Sequence, residues 1–371
     1  MDEISRLRTR IDEIDQDILE LLATRQDKAR LLGQLKRERD LSIRDPEREK
    51  TILRKTRTTS KQLGLDIKYT TSIFNQIFKL AIQAQSSAKY SRGLTGKKVL
   101  IVGGTGGMGH FFARFLRANG ATVKIAGRDP GKIRRVARQI AVNPGVVEDA
   151  ATSDMVIVTV PISVTKRLAL SAASHMRPGS LLMDLSSVKT GVADEISSKL
   201  PEGVEYVSTH PLFGPDADSL VHQNLVAVPY RIGAQWRAFA REVVRAGGKI
   251  KFVDRAAHDK TMALVQVLHH FALISFALVL RDWDGELSSS SIRTTVGNIR
   301  RLLKNWDTVT SIQETNPYAD ERRREFAKTV RALANWLPKS RPLEDILSVC
   351  VQKWSHSHDS FESSHRASDG K

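Results

Sequence analysis

From Ile4 to Leu35 the apolar side chains recur in steps of three and four residues, and this heptad pattern predicts one long helix that ends near Asp40. The seam consists of Ile4, Leu7, Ile11, Ile14, Ile18, Leu21, Leu32 and Leu35. Asp45 and Pro46 then predict the start of a second helix over 47–61, and a third amphipathic helix follows over 66–88. Because three such helices cannot enclose a compact core alone, the sequence predicts a homodimer or a higher oligomer.

Cations interrupt this apolar seam. Arg25 and Lys28 stand where leucine is expected, and Lys36 lies on nearly the same face as Arg25, about 16 Å further along the helix. Other polar side chains share faces on the second and third helices, namely Asp45, Arg48, Glu49 and Gln85. Taken separately, these side chains are better explained as a buried ion pair, an arginine that extends to solvent, solvated charges or a helix cap. Taken together, they suggest a site for an anionic ligand.

The motifs LRTRID, ATRQDKARLLGQLK and IRDPERE occur in order within residues 4–88, which closely resemble the all-helical chorismate mutase family. The resemblance implies that Arg8 and Arg25 hold the substrate carboxylates, that Lys36 and Gln85 bind the ether oxygen, and that Asp45, Arg48 and Glu49 complete the pocket. One position departs from the family, because Ala81 stands where relatives often carry serine. The implied substrate is chorismate and the implied product is prephenate.

Arg8 and Arg25 are separated by 17 residues, or about 25 Å along a straight helix. That distance is too long for both side chains to reach one small substrate in the same subunit. We therefore expect Arg8 to serve the site of the other subunit. A unimolecular rearrangement needs no nucleophile, so cations that fold the substrate and stabilise the charge on the ether oxygen are sufficient.

The sequence predicts five segments, which are a mutase domain over 1–88, a linker over 89–96, a Rossmann domain over 97–255, a helical dimerisation domain over 256–350 and a disordered tail over 351–371. Within the third segment, strands are expected over 98–102, 122–126, 155–160, 180–184 and 204–208. Strands that alternate with helices predict a doubly wound α/β sheet. The nearly apolar stretch over 263–280 predicts a buried helix, which we place between subunits.

A glycine-rich turn follows the first strand and opens a helix, which is the context of a dinucleotide site. The expected cofactor-binding residues are Gly103, Gly104, Gly106, Gly107, Met108, Gly109, Arg128, Val160 and Pro161. The second strand ends in Gly127 and Arg128, where an NAD enzyme would carry an acid. This difference favours NADP over NAD, although Asp129 could still be the ribose ligand of an NAD enzyme.

Five motifs closely resemble the prephenate dehydrogenase family: VPISVT (160–165), DLSSVK (184–189), THPLFGPD (209–216), AHDKTMALVQVLHH (257–270) and SIRTTVGNIRR (291–301). The resemblance implies that His210 takes the proton of the substrate 4-hydroxyl as hydride leaves C4. It further implies that Ser187 positions this pair beside Lys189, and that Arg301 binds a carboxylate in a site lined by His270 and Arg293. Arg300 is an alternative carboxylate anchor.

Bulk composition limits the other classes of function. The formal charge of +17 makes nucleic-acid binding an alternative function, but the cations are scattered and no recognition motif accompanies them.

The single Cys350 excludes an intramolecular disulfide and favours a cytoplasmic protein. We expect no membrane span, because the longest apolar run, 271–280, is too short. We also expect no metal, because His356, His358 and His365 near Cys350 match no standard zinc spacing.

Two halves that catalyse consecutive steps make the chain similar to the bifunctional chorismate mutase and prephenate dehydrogenase enzymes of the T-protein type. The resemblance implies an enzyme of tyrosine biosynthesis with chorismate and prephenate as substrates. Two alternatives stay open at this point. One is an arogenate dehydrogenase with an attached mutase, and the other is a basic nucleic-acid-binding protein with vestigial sites.

Overall fold

The computed structural model describes residues 2–39, 45–87, 93–217, 219–221, 223–336 and 347–348. The chain divides into two compact units, of which the first comprises residues 1–262 and 300–317. The second unit comprises residues 263–299 and 318 onward. The five segments inferred from the sequence stay a prediction, and the expected tail over 351–371 lies outside the described residues.

Three helices open the chain, α1 (Glu3–Glu38), α2 (Pro46–Gln62) and α3 (Ile67–Ser87), as the heptad pattern predicts. Helix α3 packs against both of the others, and its Ala81 and Ala84 form a small buried cluster with Ala29 of α1. The heptad seam stays open to solvent, because Ile4 is 60% exposed and Leu21 is 70% exposed. A helix with this much uncovered apolar surface needs a partner surface.

Within the described residues, one sheet contains eight strands in the order β3-β2-β1-β4-β5-β6-β7-β8. The strands are β1 (Lys98–Val102), β2 (Thr122–Ala126), β3 (Asn143–Pro144), β4 (Met155–Val158), β5 (Leu181–Asp184), β6 (Glu205–Pro211), β7 (Asn224–Arg231) and β8 (Lys249–Phe252). Neighbouring strands are parallel except β6 and β7, which are antiparallel. The predicted α/β Rossmann class is thus confirmed, and the strand order places the ends of β1, β4, β5 and β6 along one edge.

Helices cover the sheet and bury its continuous apolar strands on both faces. They are α4 (Gly107–Ala118), α5 (Pro130–Gln139), α6 (Ile162–Ala173), α7 (Ala193–Lys199) and α8 (Ala234–Arg245). One core surrounds Phe112, Trp236 and Phe239, and the other surrounds Tyr206 and the small residues of α6. Helices α9 (Arg255–Met262) and α12 (Trp306–Thr315) also belong to this first unit.

The second unit is helical, as predicted. It contains a π-helical segment (Ala263–Leu268), α10 (His269–Val279) and α13 (Ala319–Trp336), and helix α11 (Ser290–Lys304) crosses the division between the units. Helix α13 packs against the π-helical segment, and Phe271 meets Phe326 edge to face with ring centroids 5.9 Å apart. No residue of α10 is buried within this single chain, so the apolar face expected to lie between subunits is uncovered here.

The backbone from Arg255 to Asp282 is one helix of 28 residues with a mean hydropathy of 2.0 in its most apolar window. By length and composition alone it could cross a membrane, and it includes the apolar run 271–280 from which the sequence predicts no membrane span. The finding is weak evidence for a membrane span, because core helices pass the same test.

Candidate active sites

The glycine-rich loop after β1 approaches its surroundings too closely for side chains. Gly103 has a φ of 89°, and a Cβ there would lie 2.7 Å from Val160 Cγ1. A Cβ on Gly109 would lie 2.6 Å from the carbonyl oxygen of Gly103, and one on Gly104 would lie 2.5 Å from Cβ of Ile125. The loop therefore turns tightly and packs α4 against the sheet, as a pyrophosphate-binding turn requires.

The start of α4 is open for an anion. Gly106 is its N-cap residue and supplies no side chain, so within this described loop the first backbone N–H groups receive no side-chain cap. Met108 packs its side chain toward the apolar core, which leaves its backbone as the part available to a ligand. Pro161 occupies the N-cap position of α6 at the end of the neighbouring strand β4. These features fit the pyrophosphate of a dinucleotide.

At the end of β2, Asp129 is the N-cap residue of α5. Its Oδ1 accepts hydrogen bonds from the backbone N–H groups of Gly131 at 2.8 Å and Lys132 at 3.0 Å. These hydrogen bonds lower the pKa of Asp129, and the one from the backbone N–H of Lys132 has the largest effect. The described hydrogen bonds thus engage Oδ1 of Asp129 in the cap of α5.

The surface beside Asp129 is basic and roomy. Arg128, Lys132 and Arg135 are exposed on the loop and the first turns of α5. A Cβ on Gly127 would meet no atom closer than 3.8 Å, so this glycine is not enforced by packing against the protein. The end of β2 thus carries no acid at position 127, although a Cβ there would meet no close neighbour.

His210 ends β6 in a buried site and is only 3% exposed. Its Nδ1 lies 3.0 Å from Nε2 of His258, and Nδ1 of His258 lies 2.8 Å from Oδ1 of Asp259. Both partners come from α9, which the fold brings against the carboxyl edge of the sheet. Burial, followed by the positive charge of Lys189, holds the pKa of His210 well below its usual value, so the imidazole is neutral and can accept a proton.

Asp259 also fastens the loop after β5. Its two carboxylate oxygens accept the backbone N–H groups of Lys189 at 2.9 Å and Thr190 at 2.8 Å, while its backbone carbonyl accepts a hydrogen bond from Asn316. Burial opposes the ionisation of Asp259, but the hydrogen bonds from His258, Thr190 and Lys189 outweigh it and lower its pKa. The carboxylate is therefore ionised and accepts hydrogen bonds only.

Lys189 is fully buried, and its Nζ donates to three protein oxygens. The acceptors are Ser186 O at 2.8 Å, Ser208 Oγ at 2.8 Å and Thr209 O at 2.7 Å. Burial lowers its pKa to about 8, against the opposing effect of Asp184 and Asp259. An ammonium that donates to three oxygens ties the end of β5 to β6, so Lys189 supports the geometry around His210 and does not itself point at a ligand.

The other residues proposed for the dehydrogenase site differ in their surroundings. Ser187 is half-buried in the same loop as Lys189, and the described residues show no hydrogen bond from it to His210. Arg301 is exposed and belongs to the first unit. Arg293 and His270 belong to the second unit. Arg293 donates hydrogen bonds to Ser288, and His270 is half-buried. Their roles as substrate ligands stay predictions. His258 and Asp259 lie within the motif AHDKTMALVQVLHH, but neither residue was predicted from the sequence to have a role in the site.

In the helical N-terminal part, Arg25 is half-buried and its Nη1 lies 3.5 Å from the carbonyl oxygen of Ile77 on α3. Lys36 and Glu49 are also half-buried, while Arg8 and Arg48 are exposed. Asp45 caps α2 by accepting the backbone N–H of Arg48 at 2.9 Å. The side chain of Gln85 lies outside the described residues. The pocket implied by the resemblance remains a prediction.

Two family models match the sequence. The model for chorismate mutase type II matches residues 7–86, and the model for the nucleotide-binding domain of prephenate dehydrogenase matches residues 112–246. The chain is 35% identical over 83 residues to a chorismate mutase of Methanocaldococcus jannaschii, a match that covers 22% of this chain and 80% of that protein. The chain belongs to the chorismate mutase family, and it also contains a nucleotide-binding domain of the prephenate dehydrogenase type.

Two other relatives match longer stretches of the chain. A T-protein of Enterobacter agglomerans is 27% identical over 281 residues, which cover 76% of this chain and 71% of that protein. A probable arogenate/prephenate dehydrogenase of M. jannaschii is 35% identical over 201 residues, or 53% of this chain, and this chain spans 45% of its length.

A solved prephenate dehydrogenase from A. aeolicus, in complex with hydroxyphenyl propionate and NAD+, has a TM-score of 0.55 at 18% identity. The match covers 72% of this chain and 99% of that one. At this level of identity, the likeness shows that the dehydrogenase part has the same fold.

Proposed function

We propose that this chain is a bifunctional enzyme of tyrosine biosynthesis that rearranges chorismate to prephenate and then oxidatively decarboxylates prephenate to 4-hydroxyphenylpyruvate. We place it in the cytoplasm as a homodimer or a higher oligomer. The contact between Gly107 and Pro215 carries the proposal for the second step. It brings the loop that follows His210 against the N-terminus of α4, so that a proton-accepting imidazole and a dinucleotide cradle lie at the same edge of the sheet.

In the first step, the mutase part has only to hold and polarise its substrate. Arg25 and the partner's copy of Arg8 would pair with the two carboxylates of chorismate, since guanidinium groups bind carboxylates in a bidentate manner. Lys36 would place its ammonium near the ether oxygen, where negative charge grows as the bond breaks. A shared site of this kind explains why the apolar seam of α1 is left uncovered in one chain.

In the second step, His210 would accept the proton of the 4-hydroxyl group, and Arg301 or Arg300 would hold a carboxylate. A bound nicotinamide supplies the hydride acceptor. The turn from Gly103 to Gly109 would hold its pyrophosphate on the backbone N–H groups of α4. Aromatisation of the ring drives the loss of the carboxylate, so the protein contributes orientation and the base.

For the cofactor, we propose NADP in preference to NAD. Oδ1 of Asp129 is engaged in the cap of α5, and Gly127 leaves the strand end without an acid that would repel a 2′-phosphate. Arg128, with Lys132 and Arg135 behind it, provides cations on the same surface. A guanidinium can pair with a phosphate through two hydrogen bonds.

The direct test is turnover by the purified full chain. Incubation with chorismate alone should yield prephenate, and the addition of NADP should then yield 4-hydroxyphenylpyruvate together with NADPH absorbance. Supplied prephenate should be oxidised without a lag. Oxidation of arogenate but not of prephenate would replace the proposed substrate, and the absence of turnover with either cofactor would refute the dehydrogenase function.

A further inference from the structure

Three buried side chains form a line from α9 to the end of β6. Asp259 Oδ1 is 2.8 Å from His258 Nδ1, and His258 Nε2 is 3.0 Å from His210 Nδ1. Each of the three side chains is almost fully buried. The contact between the two rings is edge to face, with an interplanar angle of 62°.

The chemistry of Asp259 fixes where the protons lie along this line. As an ionised carboxylate it can only accept, so Nδ1 of His258 carries the hydrogen that it shares with Asp259. A neutral His258 then has no hydrogen on Nε2, which must accept from Nδ1–H of His210. His210 in turn has no hydrogen on its own Nε2. That nitrogen is therefore the one able to take a proton.

We infer that His258 and Asp259 are positioning residues for the dehydrogenase reaction, which hold His210 in the tautomer and orientation that accept the substrate hydroxyl proton at Nε2. The inference rests on the proposed dehydrogenase function. When the O–H bond breaks, its proton bonds to Nε2 of His210 and the electron pair stays on the substrate oxygen. No proton passes to His258 or Asp259. The negative carboxylate, acting through the imidazole of His258, stabilises the imidazolium that forms.

Asp259 has a second contact that an experiment must separate from this one. The same carboxylate binds the backbone N–H groups of Lys189 and Thr190, so its removal could loosen the loop after β5. An Asp259→Asn variant that turns its amide N–H₂ toward His258 retains an oxygen for the N–H of Thr190 but loses the acceptor of the Lys189 N–H, because Oδ1 serves both His258 and Lys189. The amide would donate to Nδ1 of His258 and reverse both tautomers, which places a hydrogen on Nε2 of His210 and blocks the base. The His258 variants described below, which leave both backbone contacts in place, separate the two effects.

The experiment measures steady-state oxidation of prephenate by the full chain with saturating NADP. Asp259→Asn should lower kcat by about 10²- to 10⁴-fold, the range seen when a histidine base is held in the wrong tautomer. The KM values for prephenate and NADP should stay within about threefold, because the change acts on the base and not on binding. Mutase turnover should be unchanged.

A pair of variants at His258 tests whether the acceptor itself matters. The side-chain oxygen of His258→Gln can accept from Nδ1–H of His210, whereas His258→Phe fills the space without an acceptor. We expect kcat of the glutamine variant to exceed that of the phenylalanine variant by at least about tenfold, roughly 1.4 kcal/mol in the barrier. A purely structural role would not distinguish the two in this way.

Asp254→Asn is the matched control, because Asp254 caps the same helix by accepting the N–H of Ala257 at 2.8 Å but lies outside the line. Its kcat should change less than about twofold, within the range of ordinary surface substitutions. Wild-type kcat in Asp259→Asn, or equal kcat losses in both His258 variants with raised KM values, would overturn the inference. A wild-type enzyme that oxidises no prephenate would refute the proposed function instead, before any variant is compared.

Discussion

Gly107 and Pro215 are in direct contact although 108 residues separate them along the chain. A Cβ on Gly107 would lie 2.7 Å from Cβ and 2.8 Å from Cγ of the proline ring. Phe111, one turn further along α4, packs edge to face against Phe213 of the same loop, with centroids 5.2 Å apart. The loop that follows His210 is thus docked on the first turns of the cofactor helix.

Gly107→Ala should therefore damage the dehydrogenase and spare the mutase. The added methyl group must displace Pro215 or the start of α4, and we expect kcat/KM for prephenate oxidation to fall by about tenfold or more, as small misplacements at a reacting centre do. The matched control is Gly214→Ala in the same loop, where a Cβ meets nothing within 4 Å. Comparable losses in the two variants would contradict the contact as the cause.

Arg128→Ala should raise KM for NADP much more than KM for NAD, because only NADP loses a phosphate contact. We expect a differential effect of about tenfold, which corresponds to about 1.4 kcal/mol. Steady-state kinetics with both cofactors measure it. A wild-type enzyme with clearly higher kcat/KM for NAD would contradict the proposed preference.

Asp129→Ala is the control for that comparison. Its carboxylate caps α5, so the substitution should lower Tm while leaving the ratio of the two cofactor efficiencies unchanged. A selective loss of NAD activity in this variant would show that the carboxylate binds ribose after all.

Lys36→Ala should abolish mutase turnover and leave the oxidation of supplied prephenate nearly intact. A cation at the ether oxygen acts mainly in the transition state and contributes about 3 kcal/mol or more, so kcat should fall by at least about 10²-fold. The two activities are measured on one preparation, which makes the second a control for folding. A parallel fall in both, without unfolding, would argue against two separate sites.

Arg8→Ala and Arg25→Ala should each inactivate the mutase but regain activity when the two variants are mixed under conditions of subunit exchange. In a mixed dimer, one of the two sites contains neither substitution. Recovery should approach about a quarter of wild-type activity at random exchange, since about half of the dimers are mixed and each has one intact site. Exchange is verified with tagged subunits, and no recovery after proven exchange would exclude a shared site.

Lys189 predicts a dependence of stability on pH. Its pKa is about 8 in the folded protein and 10.5 in an ordinary environment, so between these values the unfolded chain binds more protons than the folded one. The contribution of Lys189 to the free energy of unfolding should therefore rise with pH from about 8 to about 10.5 and stay flat below that window. Denaturant unfolding of the wild type and Lys189→Met measures the difference, and Lys199→Met controls for the loss of an exposed lysine. If the free energy of unfolding of the wild type relative to Lys189→Met fell between pH 8 and 10.5, the lowered pKa of Lys189 would be contradicted.

Local patterns predicted the parts of the fold that depend on neighbouring residues. The strand before Gly103, the helix after it and the long α1 were all evident from spacing, whereas β8 was missed because it has only four residues and lies mostly exposed at the edge of the sheet. Contacts between distant segments were not evident in the same way. His258 follows His210 by 48 residues, and no local pattern shows that their rings meet. The sequence left Asp129 as a possible ribose ligand, and its place at the cap of α5 became evident only from its hydrogen bonds.

At the end of β2, the residue that caps α5 and the position that lacks an acid are different residues, and this has an evolutionary consequence. Asp129 keeps α5 capped whatever stands at Gly127, and position 127 has room for a side chain without a clash. Glycine and aspartate codons differ by a single base, so one point mutation could install the missing acid with little loss of stability. Under the proposed preference for NADP, selection could then switch the enzyme between the biosynthetic and the catabolic pools of reducing equivalents in one step, while His210 and the mutase part remain unchanged.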